Sequence, residues 1–135
     1  DVLGYPTTDF GWPVVPDGLR EVLVQQHERY GDALPPVMVT ENGVAYPDTL
    51  EGGDSPRVDD PRRVQYLREH IAAVGRAADE GVDVRGYFVW SFLDNFEWAE
   101  GYRPRFGLVY TDYATQRRIP KTSYTWFQSF LGGRS

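Results

Sequence analysis

Two stretches of the sequence place carboxylates where they could do chemistry. Val37-Met38-Val39-Thr40 runs into Glu41, Asn42 and Gly43, and Gly86-Tyr87-Phe88-Val89-Trp90-Ser91 leads on to Asp94, Asn95, Phe96, Glu97 and Trp98. In both, an apolar run with strand character turns polar only at its C-terminal end. A carboxylate held there is ionised at neutral pH, so it can attack an electrophilic carbon or stabilise positive charge as it develops. Asn42-Gly43 is a turn that forces the chain away and leaves the Glu41 carboxylate facing the space beyond the strand ends. Glu97 lies between Phe96 and Trp98, and a charged acceptor between apolar rings suits a ligand that carries both hydroxyls and C–H faces. Most Glu residues are simply solvated and most rings fill a core. Glu41 departs from that expectation because it follows directly on a buried strand, and Glu97 because of its flanking rings.

The hydrophobic spacing provides a scaffold for these groups. After Pro16, the residues Leu19, Val22, Leu23 and Tyr30 recur at helical intervals, with Gln26 as the one polar miss; Asp17 is the expected N-cap and Gly31 the stop. Val37 to Thr40 is a short strand buried on both faces, followed by a loop rich in Gly, Pro and Asp over 44–60. The clearest helix opens at Pro61 with Asp60 as cap, buries Val64, Leu67, Ile71, Val74 and Ala78, and ends with Gly81 at C′. Gly86 to Ser91 is a second strand buried on both faces. Phe106–Thr111 and Arg117–Ile119 form a hairpin around Asp112-Tyr113-Ala114-Thr115, and Thr122 to Leu131 a closing helix with Tyr124, Phe127 and Leu131 inward. Helices alternating with continuous apolar strands imply α/β architecture, a parallel sheet with helices outside it. Two core strands cannot close a sheet or cover its edges, and a complete eight-stranded barrel takes about 250 residues. The chain opens on Asp1 rather than Met, in a loop that runs to Pro16, and is expected to belong to a longer parent. No repeat, low-complexity tract or second domain is visible.

Composition removes several function classes. With 41% hydrophobic and 25% charged residues, the 135-residue chain reads as soluble and globular. A net charge of −6 with scattered basic residues disfavours a polyanion, so nucleic acid is set aside as a partner. No apolar stretch approaches the roughly 20 residues that cross a bilayer, so no membrane association is expected, and the N-terminus lacks a signal-peptide pattern. Localisation stays open, with the cytoplasm slightly favoured. Cysteine is absent, which excludes disulfides and thiolate metal sites. His27 and His70 sit on helices away from the strand ends, so no metal and no cofactor is expected.

Val39-Thr40-Glu41-Asn42-Gly43, followed by the Trp90 to Trp98 run, resembles the paired signatures of family 1 glycoside hydrolases. The likeness continues through Tyr102-Arg103-Pro104-Arg105-Phe106-Gly107-Leu108-Val109-Tyr110 and Pro120-Lys121-Thr122-Ser123, and covers most of the chain from Asp9-Phe10-Gly11-Trp12 onward. It implies a (β/α)8 TIM barrel, with residues 1–135 as the C-terminal part of that single domain, supplying its seventh and eighth βα units. It also implies a retaining β-glycosidase of β-glucosidase type that works without a cofactor through a covalent glycosyl-enzyme. Carried over by motif position, Glu41 is the nucleophile and Glu97 accepts hydrogen bonds from two sugar hydroxyls. Trp98 donates its indole N–H, Trp90 stacks beneath the sugar, and Phe106 forms a wall of the same subsite.

A retaining pair needs a second carboxyl group about 5 Å away, protonated at the start. In the family that acid lies in an Asn-Glu-Pro motif after the fourth strand, and no Asn-Glu-Pro occurs in these 135 residues. The resemblance therefore implies a complementary N-terminal chain or segment that brings the acid/base, with a β-glucoside or oligosaccharide as substrate and no appreciable activity for this chain alone. Members that take 6-phosphorylated sugars generally lack an acidic residue where Glu97 stands, so unphosphorylated β-glucosides are expected here. The alternative from another class is a catalytically silent carbohydrate-binding fragment that uses Trp90, Glu97 and Trp98 without hydrolysis. Asp94 and Asn95 are expected to shape the loop presenting Glu97, and Trp126 to pack against the barrel exterior.

Overall fold

A computed structural model describes residues 3–133; Asp1 and Val2, the start of the expected opening loop, lie outside the described residues. The first helix, α1 (Pro16–Tyr30), begins on a proline whose fixed φ already suits the first helical position. The cap is Val15, which offers no side-chain bond, so the expected capping role of Asp17 is corrected. Asp17 lies instead in the first turn, where it complements the helix dipole and pairs with Arg76 at 2.5 Å. Of the expected apolar face, Leu23 is buried, whereas Val22 and Tyr30 are exposed. Leu19 packs against the core as expected, and Val24 joins it there.

Strand β1 covers Val37–Asn42. The span expected to be a plain loop contains a two-stranded antiparallel hairpin, β2 (Leu50–Glu51) and β3 (Arg57–Val58), turned through Gly52 and Ser55. Each of these strands is only two residues long, too short for any periodicity to register. Helix α2 (Pro61–Asp79) follows and ends as the sequence requires: Gly81 has φ +101, its N–H reaches the Ala78 carbonyl at 3.0 Å, and the Val82 N–H reaches that of Ala77 at 3.2 Å. Its buried face includes Leu67, Val74 and Ala77, and Ala78, expected inside, is exposed.

Strand β4 (Val84–Val89) lies parallel to β1, with Val39 opposite Tyr87 and Asn42 opposite Val89. The architecture is therefore α/β. Leu23, Val39, Val74, Ala77 and Val82 form one apolar cluster between the strand pair and the two helices. Burial on both strand faces does not occur. Met38 and Phe88, on the face opposite Val39, are 51% and 54% exposed. Among the described residues β1 and β4 have only each other as ladder partners, so each also keeps one unpaired edge.

The hairpin β5 (Val109–Thr111) with β6 (Arg118–Pro120) leads into α3 (Thr122–Gly132). Asp60 stands at the cap position of α2, yet its carboxylate accepts the Ser123 N–H at 2.8 Å and the Ser123 hydroxyl at 2.6 Å. It thus satisfies the first turn of α3 rather than its own helix. Tyr124 and Phe127 are half-buried as expected, but Leu131 is exposed. Trp126 stacks on Phe130 and lies under the Arg68 guanidinium of α2.

Candidate active site

Glu41 is the penultimate residue of β1, which runs two residues beyond the expected end at Thr40. Its corner is fixed chiefly through backbone. The Trp90 N–H donates to the Asn42 carbonyl at 2.9 Å, which continues the β1–β4 ladder past its last strand pair. A Cβ at Gly43 would overlap the Trp90 carbonyl oxygen, so only glycine allows the chain to pass so close to the neighbouring strand end. The Asn42 carboxamide sits between two tyrosines: the Tyr87 hydroxyl donates to Oδ1 at 2.6 Å, and Nδ2 donates to the Tyr66 hydroxyl at 3.3 Å. Burial pushes the Tyr87 and Tyr66 hydroxyls above the ordinary tyrosine value, so both stay protonated. The Glu41 side chain itself is exposed, Trp90 is half-buried, and the Trp90–Ser91 peptide is cis. Glu41 and Trp90 therefore stand at the same ends of adjacent parallel strands.

Phe106 joins this corner, because its carbonyl accepts the Ser91 N–H at 3.2 Å while the Leu108 N–H reaches the Ser91 carbonyl at 2.9 Å. Its ring lies 5.7 Å from that of Phe10, which stacks on Trp12 at 5.0 Å. Glu97 and Trp98 lie farther along, on a small closed loop. The N–H groups of Glu97 and Gly101 each donate to the other's carbonyl at 2.8 Å, and Gly101 takes φ +66 to allow it. Glu97 is half-buried, while Trp98 is 86% exposed. The Asn95 amide braces the approach to this loop through the Ser91 hydroxyl and the Leu93 carbonyl, both at 3.0 Å.

Beneath the two loops lies a layer of buried charge that motif reading alone did not reveal. The Asp94 carboxylate accepts from Arg105 at 2.6 Å, from Lys121 at 2.9 Å and from the Gly107 N–H at 2.9 Å. Lys121 also donates to Asp48, on the chain that follows Glu41. Arg63 of α2 bonds Asp48 at 3.2 Å and Asp60, and reaches the Val44 carbonyl at 3.3 Å and the Arg105 carbonyl at 2.8 Å. Three carboxylates face three cations, so the layer is neutral, as burial demands. Burial pulls the Lys121 ammonium below the usual lysine range, with Arg63 acting the same way and Asp94 and Asp48 opposing. In sequence these cations look like any scattered basic residue. The only signal was the place of Arg105 and Lys121 in the two outer motifs, Arg103-Pro104-Arg105 and Pro120-Lys121; Arg63 carried none.

A cavity of about 410 Å³ beside Phe96, lined also by Tyr102, Thr111 and Tyr113, includes neither Glu41 nor Trp90 and is not part of this corner. No cluster of His, Cys, Asp or Glu among the described residues has the arrangement of a metal site. No helix among them is long and apolar enough to cross a membrane.

Comparison with known proteins decides the family. The description "Glycosyl hydrolase family 1" matches residues 3–134. The chain belongs to glycosyl hydrolase family 1. It is 49% identical over 132 residues to a bifunctional β-D-glucosidase/β-D-fucosidase of Bifidobacterium breve, covering 96% of this chain and 28% of that protein. A 6-phospho-β-galactosidase of Clostridium acetobutylicum is 43% identical over 123 residues, covering 91% of this chain and 25% of that protein. Among solved structures, the family 1 β-glucosidase of Thermotoga maritima in complex with isofagomine lactam superposes with a TM-score of 0.90 at 46% identity, over 96% of this chain and 28% of that one. The chain thus spans a little over a quarter of the length of the family 1 proteins it matches.

Proposed function

We propose that residues 1–135 are the C-terminal part of a single glycosidase barrel domain, its seventh and eighth βα units, and that the completed (β/α)8 barrel is a retaining β-glycosidase of β-glucosidase type. The observation that carries this reading is the joining of Glu41 and Trp90 at the same ends of neighbouring parallel strands, through the 2.9 Å bond between the Trp90 N–H and the Asn42 carbonyl. Reactive groups of parallel barrels collect at that end. In this reading the Glu41 carboxylate attacks the anomeric carbon while an acid from a complementary N-terminal chain or segment protonates the departing oxygen. The same group then acts as base on the water that hydrolyses the glycosyl ester, and configuration is retained. Trp90 carries the sugar face, Glu97 accepts hydroxyl hydrogens, Trp98 donates its indole N–H, and Phe106 closes the side.

The relatives include both glucosidases and a 6-phospho-β-galactosidase at similar identity, and the carboxylate of Glu97 supports the first class. A carboxylate against a phosphate dianion in a partly desolvated pocket costs several kcal/mol, on the order of a hundredfold or more in preference. The substrate class is therefore unphosphorylated β-glucosides.

The test is to express the chain alone and fused in place of the matching region of the Thermotoga maritima relative. The fusion is expected to turn over a chromogenic β-glucoside and the chain alone is not, because general acid assistance contributes about 10²–10⁴-fold. Glu41→Gln in the fusion abolishes turnover while retaining sugar binding, and a mechanism-based label attaches to Glu41. A label on Glu97, or equal use of the 6-phosphate, overturns the assignment.

A further inference from the structure

The reading above gives Glu97 a role but leaves open what holds the root of its loop, whose tip Arg103 ties from Glu100 to Asp9. Three residues before Glu97 the chain buries Asp94, whose side chain has no exposed surface. Three elements converge on that carboxylate: Arg105 and the Gly107 N–H from the chain leading to β5, Thr111 from β5, and Lys121 from the start of α3. Lys121 alone among these also holds the other loop, through Asp48. Its ammonium is a compact charge with three donors, so one side chain can bond two carboxylates at once. The side chains of Lys121, Asp48 and Asp94 are each at most 1% exposed, so water does not compete for these contacts.

We propose that Lys121 is a positioning residue for sugar selectivity, fixing the loop that carries Glu97 against the loop that follows Glu41 by bridging Asp94 and Asp48. The proposal rests on Glu97 being the sugar-hydroxyl acceptor. Asp60 is the natural contrast within the same layer. Its carboxylate ties Arg63 to the Ser123 N–H and hydroxyl, which joins α2 to α3 and bridges neither loop to the other. Loss of Asp60 weakens the fold. Loss of the Lys121 bridge also lets Glu97 drift from the hydroxyl it serves.

The proposed preference against 6-phosphorylated sugars puts Glu97 on the O6 side of the sugar, so a 6-deoxy substrate, which lacks that hydroxyl, separates the two effects. In the Thermotoga fusion, kcat/KM is measured for nitrophenyl β-glucoside and for its 6-deoxy counterpart. The ratio between them is compared across wild type, Glu97→Gln, Lys121→Met, Asp60→Asn and the double variant Lys121→Met/Asp48→Asn. The double variant cuts the bridge while leaving Asp94 with Arg105 and Asp60 with Arg63, so it strands no buried charge if the single variant fails to fold. Glu97→Gln is expected to reduce the ratio about tenfold, as for loss of a hydrogen bond to a charged group. Lys121→Met and the double variant reduce it in the same direction, whereas Asp60→Asn lowers the melting temperature and leaves the ratio unchanged. An unchanged ratio in both Lys121 variants, with Glu97→Gln still lowering it, overturns the positioning role and leaves the Glu97 assignment intact. An unchanged ratio in Glu97→Gln removes the sugar-binding assignment and the positioning role together.

Discussion

Glu41 and Glu97 follow on from the same pair of strands, yet backbone and buried charge contribute to holding them in different proportions. Around Glu41 the geometry is set by backbone: a parallel ladder, the Trp90 N–H to Asn42 bond, and a glycine at the one place where the chain passes the Trp90 carbonyl. Around Glu97 backbone bonds join only the root, Phe92 and Asp94, to Val109, and side-chain charge does the rest, with Asp94, Arg105 and Lys121 buried beneath a loop closed by three short backbone bonds of its own. Backbone ladders tolerate many side chains and fix position tightly. Buried ion pairs are directional but depend on every partner being present. The nucleophile candidate thus sits on the robust element, and the candidate sugar-binding residue sits on the one that a single substitution can loosen.

The strongest way to break the charged side is Arg63→Met, which leaves Asp60 without a cation and Asp48 with Lys121 alone, and frees the Val44 and Arg105 carbonyls. It is expected to cost about 3–5 kcal/mol, read as a shift of the denaturant midpoint of the full-length fusion. Gly43→Ala attacks the backbone side: the new methyl collides with the Trp90 carbonyl oxygen and moves Glu41 relative to Trp90. A displacement of about 1 Å is expected to lower kcat/KM about 10²-fold, equally for the β-glucoside and its 6-deoxy form. An unequal loss would show that the displacement passes through Asp48 and Lys121 to the loop of Glu97. Tyr87→Phe removes the donor to Asn42 Oδ1 and should cost only about 1 kcal/mol by the same denaturant measurement.

The smallest effect is a pH dependence that distinguishes the scaffold from both loops. Burial lowers the His70 pKa from 6.5, although its Nδ1 bond to the Tyr66 carbonyl at 2.8 Å and nearby Glu69 act the other way. Below about pH 6.5 the unfolded imidazole takes up a proton that the folded one still refuses, so the unfolded state binds more protons and stability declines as pH falls toward the folded value. Above that range the term vanishes. His70→Phe should flatten this slope in a denaturant titration between pH 5 and 8 without altering the sugar ratio.

What was legible in the sequence follows from the range of each interaction. α2 and its Gly81 stop, the two parallel strands and the β5–β6 hairpin all depend on neighbours within a few residues, so spacing reported them. Asp60 misled because its partner is Ser123, far along the chain; a carboxylate before Pro61 looks like a cap wherever it actually points. Lys121 and Arg63 read as surface charges for the same reason, since nothing local says that a charge is buried against another. The strand faces were expected to be covered because continuous apolar runs imply it, and Met38 and Phe88 are half-exposed because the helices among the described residues pack on the opposite face.

Those two uncovered strands have a practical consequence for handling the piece by itself. β1 and β4 each present an edge of unpaired peptide groups, and Val37 to Thr40 and Gly86 to Trp90 contain neither a charge nor a proline to discourage stacking. One copy can therefore dock edge to edge on another, and turbidity should rise more steeply than in proportion to concentration. A lysine at position 38 would act as a gatekeeper and keep the solution clear. The same lysine would put a charge on the face that the remaining strands have to cover, so the remedy for storage is the obstacle to assembly.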